Sequence, residues 1–305
     1  MVNPKISVFT PTYNRADLLQ RLYVSLTKQT FRDFEWVVVD DGSTDGTADV
    51  MKEFIAAQNF PIRYQYQENA GKPMAVNQGV SMALGELFFI VDSDDWLPED
   101  SLETMWFHWD NVKKLPDAMQ FAGISGNRIH SNGEVNGGSV DYDILDTDNF
   151  DYRLSRHYKG DKAEAYATNI LRQYPFPVFE NEKHCPESLV WYRIANHYKL
   201  RYFNKGVYVG DYLEGGLTNS SKFVRAKYPR YSTLAYSEMA SNPRVPAKGR
   251  IRANINYWRF APYNRSQSFI NKFAAVRHIW NVFCVPLGYL LYLREKKSIS
   301  NKLKK

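Results

Sequence analysis

Short apolar runs alternate with amphipathic stretches through the N-terminal third of the chain, and each run ends in polar residues. Ile6-Ser-Val-Phe9 predicts a short strand that ends in Thr10-Pro-Thr-Tyr-Asn-Arg15. Asn14 is placed as the N-cap of the next helix, with Asp17 in its first turn and Leu18, Leu22 and Leu26 on one face. Phe34 to Val39 predicts a second strand running into Asp40-Asp-Gly-Ser-Thr-Asp-Gly-Thr47, then a helix with Val50, Met51, Phe54 and Ile55 on one stripe. Ile62, Tyr64 and Tyr66 alternate as a third strand. After Glu68-Asn-Ala-Gly-Lys-Pro73 a helical stretch is expected to close at Gly85 as its C-cap. Leu87 to Val91 is continuously apolar, which reads as a strand buried on both faces, and it runs straight into Asp92, Asp94 and Asp95.

Strands alternating with helices argue for an α/β fold with a central sheet flanked by helices and mainly parallel in this half. In such sheets ligands bind outside the carboxyl ends of the strands. The polar clusters Thr12 to Arg15, Asp40-Asp41 and Asp92 to Asp95 are therefore expected to share one crevice.

Further on, Pro98 to Leu115 predicts a helix with Leu102, Met105, Trp106 and Trp109 inward, and Met119 to Ile124 a strand. Ser131-Asn-Gly133, between Ile129 and Val135, has the composition of a hairpin turn. Residues 139–165 are polar and yield no assignment. Pro177-Val-Phe179 is expected as a short strand, a helix begins near Ser188, and Leu200 to Phe203 and Val207 to Val209 are expected as two closing strands. They lead into Asp211-Tyr-Leu-Glu-Gly-Gly-Leu-Thr218, where Gly215 and Gly216 suggest a mobile loop. After about residue 220 the pattern turns helical and basic, so the expected division is a domain over 1–218 and a C-terminal region over 219–305.

Charge sharpens that division. The overall +6 conceals an acidic body, net −10 over residues 1–221, and a tail whose 18 Lys and Arg face only Glu238 and Glu295, net +16 over 222–305. A basic tail on an acidic body points to a membrane surface or another polyanion as the tail's partner. Within it, Phe273 to Leu293 is apolar and aromatic with Arg277, Arg294, Lys296 and Lys297 alongside, but Pro286 interrupts it and it falls short of the ~20 residues a bilayer span needs. It reads as an interfacial helix or as a terminal helix packed on the body. The two cysteines, Cys185 and Cys284, have no metal-ligand spacing and fit a reducing cytosol. The opening Met-Val-Asn-Pro-Lys leads directly into a strand, so no signal peptide is expected. No nucleic-acid motif accompanies the basic charge, and no nucleic-acid partner is expected.

Crowded carboxylates such as Asp92, Asp94 and Asp95 need a cation or hydrogen bonds to offset their repulsion. Hard oxygen ligands suit Mg²⁺ or Mn²⁺, and those ions suit a diphosphate. The same string describes a solvated acidic turn, and taken alone it favours that reading.

Taken together, Pro11-Thr-Tyr-Asn-Arg15, Asp40-Asp-Gly-Ser-Thr-Asp-Gly-Thr47, Asn69-x-Gly71 with Asn77-x-Gly79, and Asp92-Ser-Asp-Asp95 resemble, in order and spacing, the family 2 glycosyltransferases of the GT-A fold. The match is specific over roughly residues 4–100 and looser to about 218. The resemblance implies a nucleotide-sugar donor, UDP-linked, a divalent Mn²⁺ or Mg²⁺, and transfer with inversion by a hexosyl- or N-acetylhexosaminyltransferase.

On that resemblance Pro11, Thr12, Tyr13, Arg15, Asp41, Lys72, Asp92 and Ser93 fall to the nucleotide. Tyr13 offers a ring for uracil, or simply packs at a strand end. Arg15 and Lys72 contact phosphate or base, or are surface charges. Asp94 is assigned to the metal and Asp92 to the ribose, with Asp95 a rival metal ligand. The family places an acidic catalytic base at a helix start well after the metal motif, and Pro186-Glu-Ser188 matches that position. Glu187 is the expected base, although the commoner pattern is an acidic pair and Ser188 stands in its second place. Its alternative role is to complement the helix dipole, and Glu180, Glu182 and Asp211 are rival bases. His184 is a further candidate for metal or acceptor.

The processive synthases of the family carry Gln-x-x-Arg-Trp and several membrane helices, and this sequence has neither. The expectation is transfer of a single sugar to a glycan or a polyprenyl-diphosphate-linked saccharide, in bacterial surface-polysaccharide assembly, by a cytoplasmic protein peripheral on the inner face of the cell membrane. A GT-A domain that binds a nucleotide sugar or glycan without turnover is the alternative class.

Overall fold

The computed structural model describes residues 3–211 and 221–303. Its centre is a mixed sheet in the order β3-β2-β1-β4-β7-β5-β8-β6. The strands are β1 (Ile6–Thr12), β2 (Phe34–Asp40), β3 (Ile62–Tyr66), β4 (Leu87–Ile90), β5 (Phe121–Ile129), β6 (Ile144–Thr147), β7 (Lys162–Ala167) and β8 (Lys199–Val209). β1 to β4 are mutually parallel, β7 runs antiparallel between β4 and β5, β8 lies parallel to β5, and β6 closes the edge antiparallel. The first half is thus the parallel α/β arrangement the sequence predicts, crossed by α1 (Ala16–Thr27), α2 (Thr47–Ala56) and α3 (Lys72–Met82), with α4 (Ser101–Lys113) following β4.

Burial follows the apolar pattern with a few shifts. Every residue of β2 is buried, as are Leu87, Phe88, Phe89 and Val91. α1 buries Leu19, Leu22, Tyr23 and Leu26, one position round from the predicted Leu18 stripe. In α2 Met51 and Phe54 go inward while Ile55 is exposed. In α4 Leu102, Met105, Trp109 and Val112 are buried, and Trp106 instead lies half-buried under Lys5 and Lys113, 5.0 and 4.3 Å from its ring.

Several local expectations are corrected by tertiary contacts. Gly85 is not a helix C-cap, because α3 ends at Met82 and Ala83 turns extended. Its missing side chain lets the chain pass β1, where a Cβ would stand 2.3 Å from the Ser7 amide nitrogen. Ser7 accepts the Gly85 N–H and donates to buried Glu35 (2.6 Å), which also accepts from Leu84 N–H (2.7 Å), so a buried carboxylate pins the α3–β4 connection. Met119 lies in a short turn and is exposed, so β5 starts at Phe121. The two closing strands are one, β8, whose pairing with β5 shifts register near Gly206. Residues 177–179 form no strand. The unassigned 139–165 stretch contains β6 and leads into β7, which runs on into the short helix α5 (Thr168–Leu171). The hairpin at Ser131 to Gly133 is present, with Ile129 bridged to Val135 and Gly133 at φ 86°.

The described residues divide into two compact units, one over residues 3–177 and 192–211 and a second over 178–191 with the described residues from 221 on. The division falls inside helix α6 (Ser188–Ala195). The predicted Gly215-Gly216 loop and the 218/219 boundary lie outside the described residues. The second unit adds α7 (Ser221–Lys227), α8 (Pro229–Ser241), α9 (Ala247–Phe260), α10 (Phe269–Ala274) and α11 (Asn281–Leu303). Its core joins Ala240, Ala253, Tyr257, Trp258, Ala261, Val276 and Cys284. The apolar tail segment is therefore two helices, and among the described residues no helix is long and apolar enough to cross a membrane.

Candidate functional site

The polar clusters at the ends of β1, β2 and β4 form a connected structure in the first unit. Asp41 N–H donates to the Thr12 carbonyl (2.8 Å), which ties the ends of β1 and β2 together. Asn14, predicted as a helix cap, instead stands at φ 51° and joins two loops. Its N–H donates to Ser43 Oγ and its side chain accepts from Thr44 N–H, each at 2.8 Å, while Asp45 accepts from Ala16 N–H (3.2 Å) and from the Thr47 hydroxyl (2.5 Å). The Pro11-to-Arg15 and Asp40-to-Thr47 motifs are thus largely loop-building. Gly42 has φ +88°, and a Cβ there would lie 2.8 Å from the Asn69 nitrogen, so the Asn69 loop is threaded against it.

Asp41 is buried and organises that loop. One oxygen accepts from Gln67 Nε2 and Ala70 N–H and the other from Gly71 N–H, all at 2.8 Å. A carboxylate has about four acceptor positions, so one remains. Asn77 and Gly79 are structural. Asn77 exchanges two hydrogen bonds of 2.9 Å with the Phe176 backbone, and Gly79 faces Phe9 so closely that a Cβ would sit 2.2 Å from its ring.

Pro11 is half-buried and Thr12 buried, its hydroxyl without a hydrogen-bond partner among the described residues. Beside them Tyr13 is 49% exposed and Arg15 is exposed, a solvent-facing ring and a solvent-facing cation at one strand end. Lys72, the first residue of α3, reaches the turn after β4 and pairs with Asp92 (2.7 Å). Burial opposes ionisation of Asp92, but the Lys72 ammonium, with Arg128 and Arg15 beyond it, holds its carboxyl below the ordinary value.

The structure separates the three aspartates of the turn. Asp94 is half-buried, and its backbone carbonyl is held by Arg21 of α1, whose guanidinium stacks 4.0 Å over Trp96. Ser93 and Asp95 are buried. Asp95 Oδ2 accepts from Arg128 (2.8 Å) and from the Tyr208 hydroxyl (2.6 Å), and that hydroxyl in turn accepts the Asp92 N–H (3.0 Å). Burial pushes the Asp95 carboxyl up to about 6, against the pull of Arg128 and Tyr208, with Asp92 and Asp94 adding to the rise. Asp95 therefore anchors the turn from inside. Arg128 on β5 and Tyr208 on β8, stacked at 4.2 Å, are the partners sequence reasoning missed. No local pattern marks them, since their strands meet the turn only through the sheet.

Among the described residues no three His, Cys, Asp or Glu side chains are placed to hold an ion. The half-buried carboxylate of Asp94 still fits Mg²⁺ or Mn²⁺, because these ions are commonly held by one or two carboxylates plus the phosphates of a substrate.

Glu187 opens α6 in the second unit, half-buried, with its carbonyl accepting from Val190 and Trp191. Its rivals differ sharply. Glu182 is buried and accepts the Arg230 and Tyr231 N–H groups (2.9 and 3.0 Å), so it caps α8, and burial raises its carboxyl. Asp211 accepts from Ser131 N–H (3.1 Å) beside His130. Glu180 is exposed, and His184 packs 6.3 Å from the Tyr228 ring.

A family profile described as Glycosyl transferase family 2 matches residues 7–176. Glycosyltransferase GlyA of Streptococcus pneumoniae is 41% identical over 106 residues, covering 35% of this chain and 15% of GlyA. The match thus spans a small part of that relative. Among solved structures, residues 1–349 of Staphylococcus aureus TarS in complex with UDP-GlcNAc align with a TM-score of 0.60 at 21% identity, covering 93% of this chain and 79% of TarS 1–349. The Pyrobaculum calidifontis mannosyltransferase PcManGT, in complex with GDP-Man and Mn²⁺, aligns with a TM-score of 0.54 at 18% identity, covering 100% and 79%. At these identities the structures establish the shared fold.

Proposed function

The chain belongs to glycosyl transferase family 2, and from that premise we propose that it moves a single sugar, with inversion, from a UDP-linked donor to a glycan or lipid-linked saccharide. The observation that carries this reading is the cluster at the ends of the parallel strands: an exposed Tyr13 ring, the Arg15 and Lys72 cations, and an ionised Asp92 beside a half-buried Asp94. UDP-GlcNAc and GDP-Man with Mn²⁺ in the aligned structures support a nucleotide sugar and a divalent ion.

Tyr13 stacks on the uracil, and Asp41 contributes its remaining acceptor position to the base or ribose. Pro11, Thr12 and Ser93 shape the pocket wall, Asp92 accepts from the ribose hydroxyls, and Lys72 and Arg15 offset diphosphate charge. Asp94, not the inward-facing Asp95, would hold the divalent ion, which would supply Lewis-acid stabilisation of the leaving group. Glu187 takes the proton of the acceptor hydroxyl as that oxygen bonds to the anomeric carbon and the nucleoside diphosphate departs from the opposite face. A polyprenyl-diphosphate-linked saccharide of surface-polysaccharide assembly is one acceptor of this class, and its use would put the protein on the inner face of the cell membrane.

The test is donor turnover in Asp94→Ala and Glu187→Gln. Each is expected to lower transfer at least ~100-fold, with thermal unfolding unchanged. Full transfer by Asp94→Ala in EDTA would refute the metal role, and wild-type turnover by Glu187→Gln would remove it as the base.

A further inference from the structure

Helix α11 buries one face only. Asn281, Cys284, Gly288, half-buried Glu295 and Ile299 point inward, with Trp258 Nε1 donating to Asn281 (2.7 Å) and Arg259 forking onto Glu295 (2.7 Å on each arm). Gly288 allows the close crossing, since a Cβ there would lie 2.4 Å from Trp258 Cβ. The opposite face is also apolar and lies open. Phe283, Leu287 and Leu290 form one helical stripe, exposed at 63%, 50% and 61%, and Ile279 (86%) and Trp280 (50%) extend it ahead of the helix. An adjacent stripe carries Val282, Tyr289 and Leu293, all exposed. Both stripes turn cationic one turn later, at Arg294 and Lys297 and at Lys296, and exposed Arg277 sits at the other end.

We propose that this outward face of α11, with Ile279 and Trp280, docks in the plane of an anionic lipid surface, its apolar stripes among the acyl chains and its cations at the headgroups. The proposal rests on the membrane-surface reading above and gives it a defined face. Two observations select lipid over a second copy of this chain. A two-fold pair would set like surfaces together, and each brings a region of net +16. Carboxylates to neutralise it are scarce, because Glu238 and Glu295 are the region's only acids and Glu295 is held by Arg259 and Lys222. The apolar length also fits lying flat: Val282 to Leu293 spans about 18 Å of helix, well short of a hydrocarbon core of ~30 Å.

The experiment is co-sedimentation of the full chain with vesicles of phosphatidylcholine alone and of equal parts phosphatidylcholine and phosphatidylglycerol. The chain is expected to sediment with the anionic vesicles, less so in high salt, and weakly with the neutral ones. Leu287→Asp with Leu290→Asp is expected to weaken partitioning at least about tenfold, and Arg294→Gln with Lys297→Gln roughly fivefold per charge. Both variants are expected to unfold like wild type, because these side chains are exposed. Failure of the wild type to bind anionic vesicles, or unchanged binding by the Leu287/Leu290 variant, overturns the proposal. So does a dimer in analytical ultracentrifugation that this variant dissolves, which would assign the face to a second copy. UDP binding measured in parallel separates this proposal from the donor reading. Intact UDP binding without sedimentation overturns the docking alone, and salt-sensitive sedimentation without UDP binding overturns the donor reading alone.

Discussion

Tyr208→Phe removes one oxygen and leaves the ring under Arg128 in place. That oxygen accepts the Asp92 N–H at 3.0 Å and donates to Asp95 Oδ2 at 2.6 Å, and Tyr208 is 2% exposed, so water does not replace it. A hydrogen bond to a charged partner contributes about 1.5–3 kcal/mol and a neutral one about 1 kcal/mol, and the orphaned N–H adds a desolvation cost. The expected loss of stability is about 2–4 kcal/mol, or a fall in unfolding temperature of roughly 5–10 °C for a domain of this size. Because the turn also sets Asp92 against Lys72, UDP affinity is expected to fall on the order of tenfold. Differential scanning fluorimetry with and without UDP measures both quantities, and a double-mutant cycle with Asp95→Asn isolates the pair, with a coupling of about 1–2 kcal/mol. Unfolding within ~0.5 kcal/mol of wild type together with unchanged UDP affinity would show that Tyr208 does not hold the turn.

Three further outcomes are expected. Lys72→Met should weaken UDP binding while costing at most about 1 kcal/mol of stability, because its ion pair with Asp92 is about one-third exposed on both sides; isothermal titration and urea unfolding check the two halves. Gly79→Ala should destabilise by roughly 1–3 kcal/mol, since the new methyl meets the Phe9 ring in a close-packed layer; chemical unfolding reads it. His108, stacked on Phe203 at 3.9 Å, has its imidazole pushed down to about 4 by burial and by Arg201 and Lys205. The unfolded chain, with an ordinary value of 6.5, binds that proton first, so this contribution is complete above pH 6.5 and is lost as pH falls toward 4. After allowance for partial solvent screening it is on the order of 1–2 kcal/mol, and His108→Gln should flatten the pH dependence of the unfolding temperature across that window.

The first half of the sheet was legible because local pattern and global position coincide there. Trp36 to Val39 and Leu87 to Val91 are apolar throughout, as parallel strands covered on both faces require. Polar clusters at their ends follow from the chain leaving the sheet, so Tyr13, Arg15, Lys72, Asp92 and Asp94 were all identifiable as candidates. The roles inside the clusters were less legible. Asn14 reads as a cap and acts as a loop brace, and Gly85 reads as a helix terminator and acts as a backbone crossing.

What the sequence determined by itself is the α/β pattern, the candidate donor-binding residues and the basic apolar tail, since each is a property of neighbouring positions. What only the tertiary structure decided depends on strands distant in the chain. β7, Lys162-Ala-Glu-Ala-Tyr-Ala167, alternates alanine with Lys, Glu and Tyr but carries no β-branched residue of the kind that marks a central strand. It lies mid-sheet because Gly123 admits its backbone, where a Cβ would stand 2.1 Å from the Ala165 carbonyl, and because buried Lys162 finds Asn127 at 2.6 Å. The same physics parts Asp94 from Asp95. The two are chemically identical in sequence, and they differ only because Arg128 and Tyr208 reach one of them across the sheet.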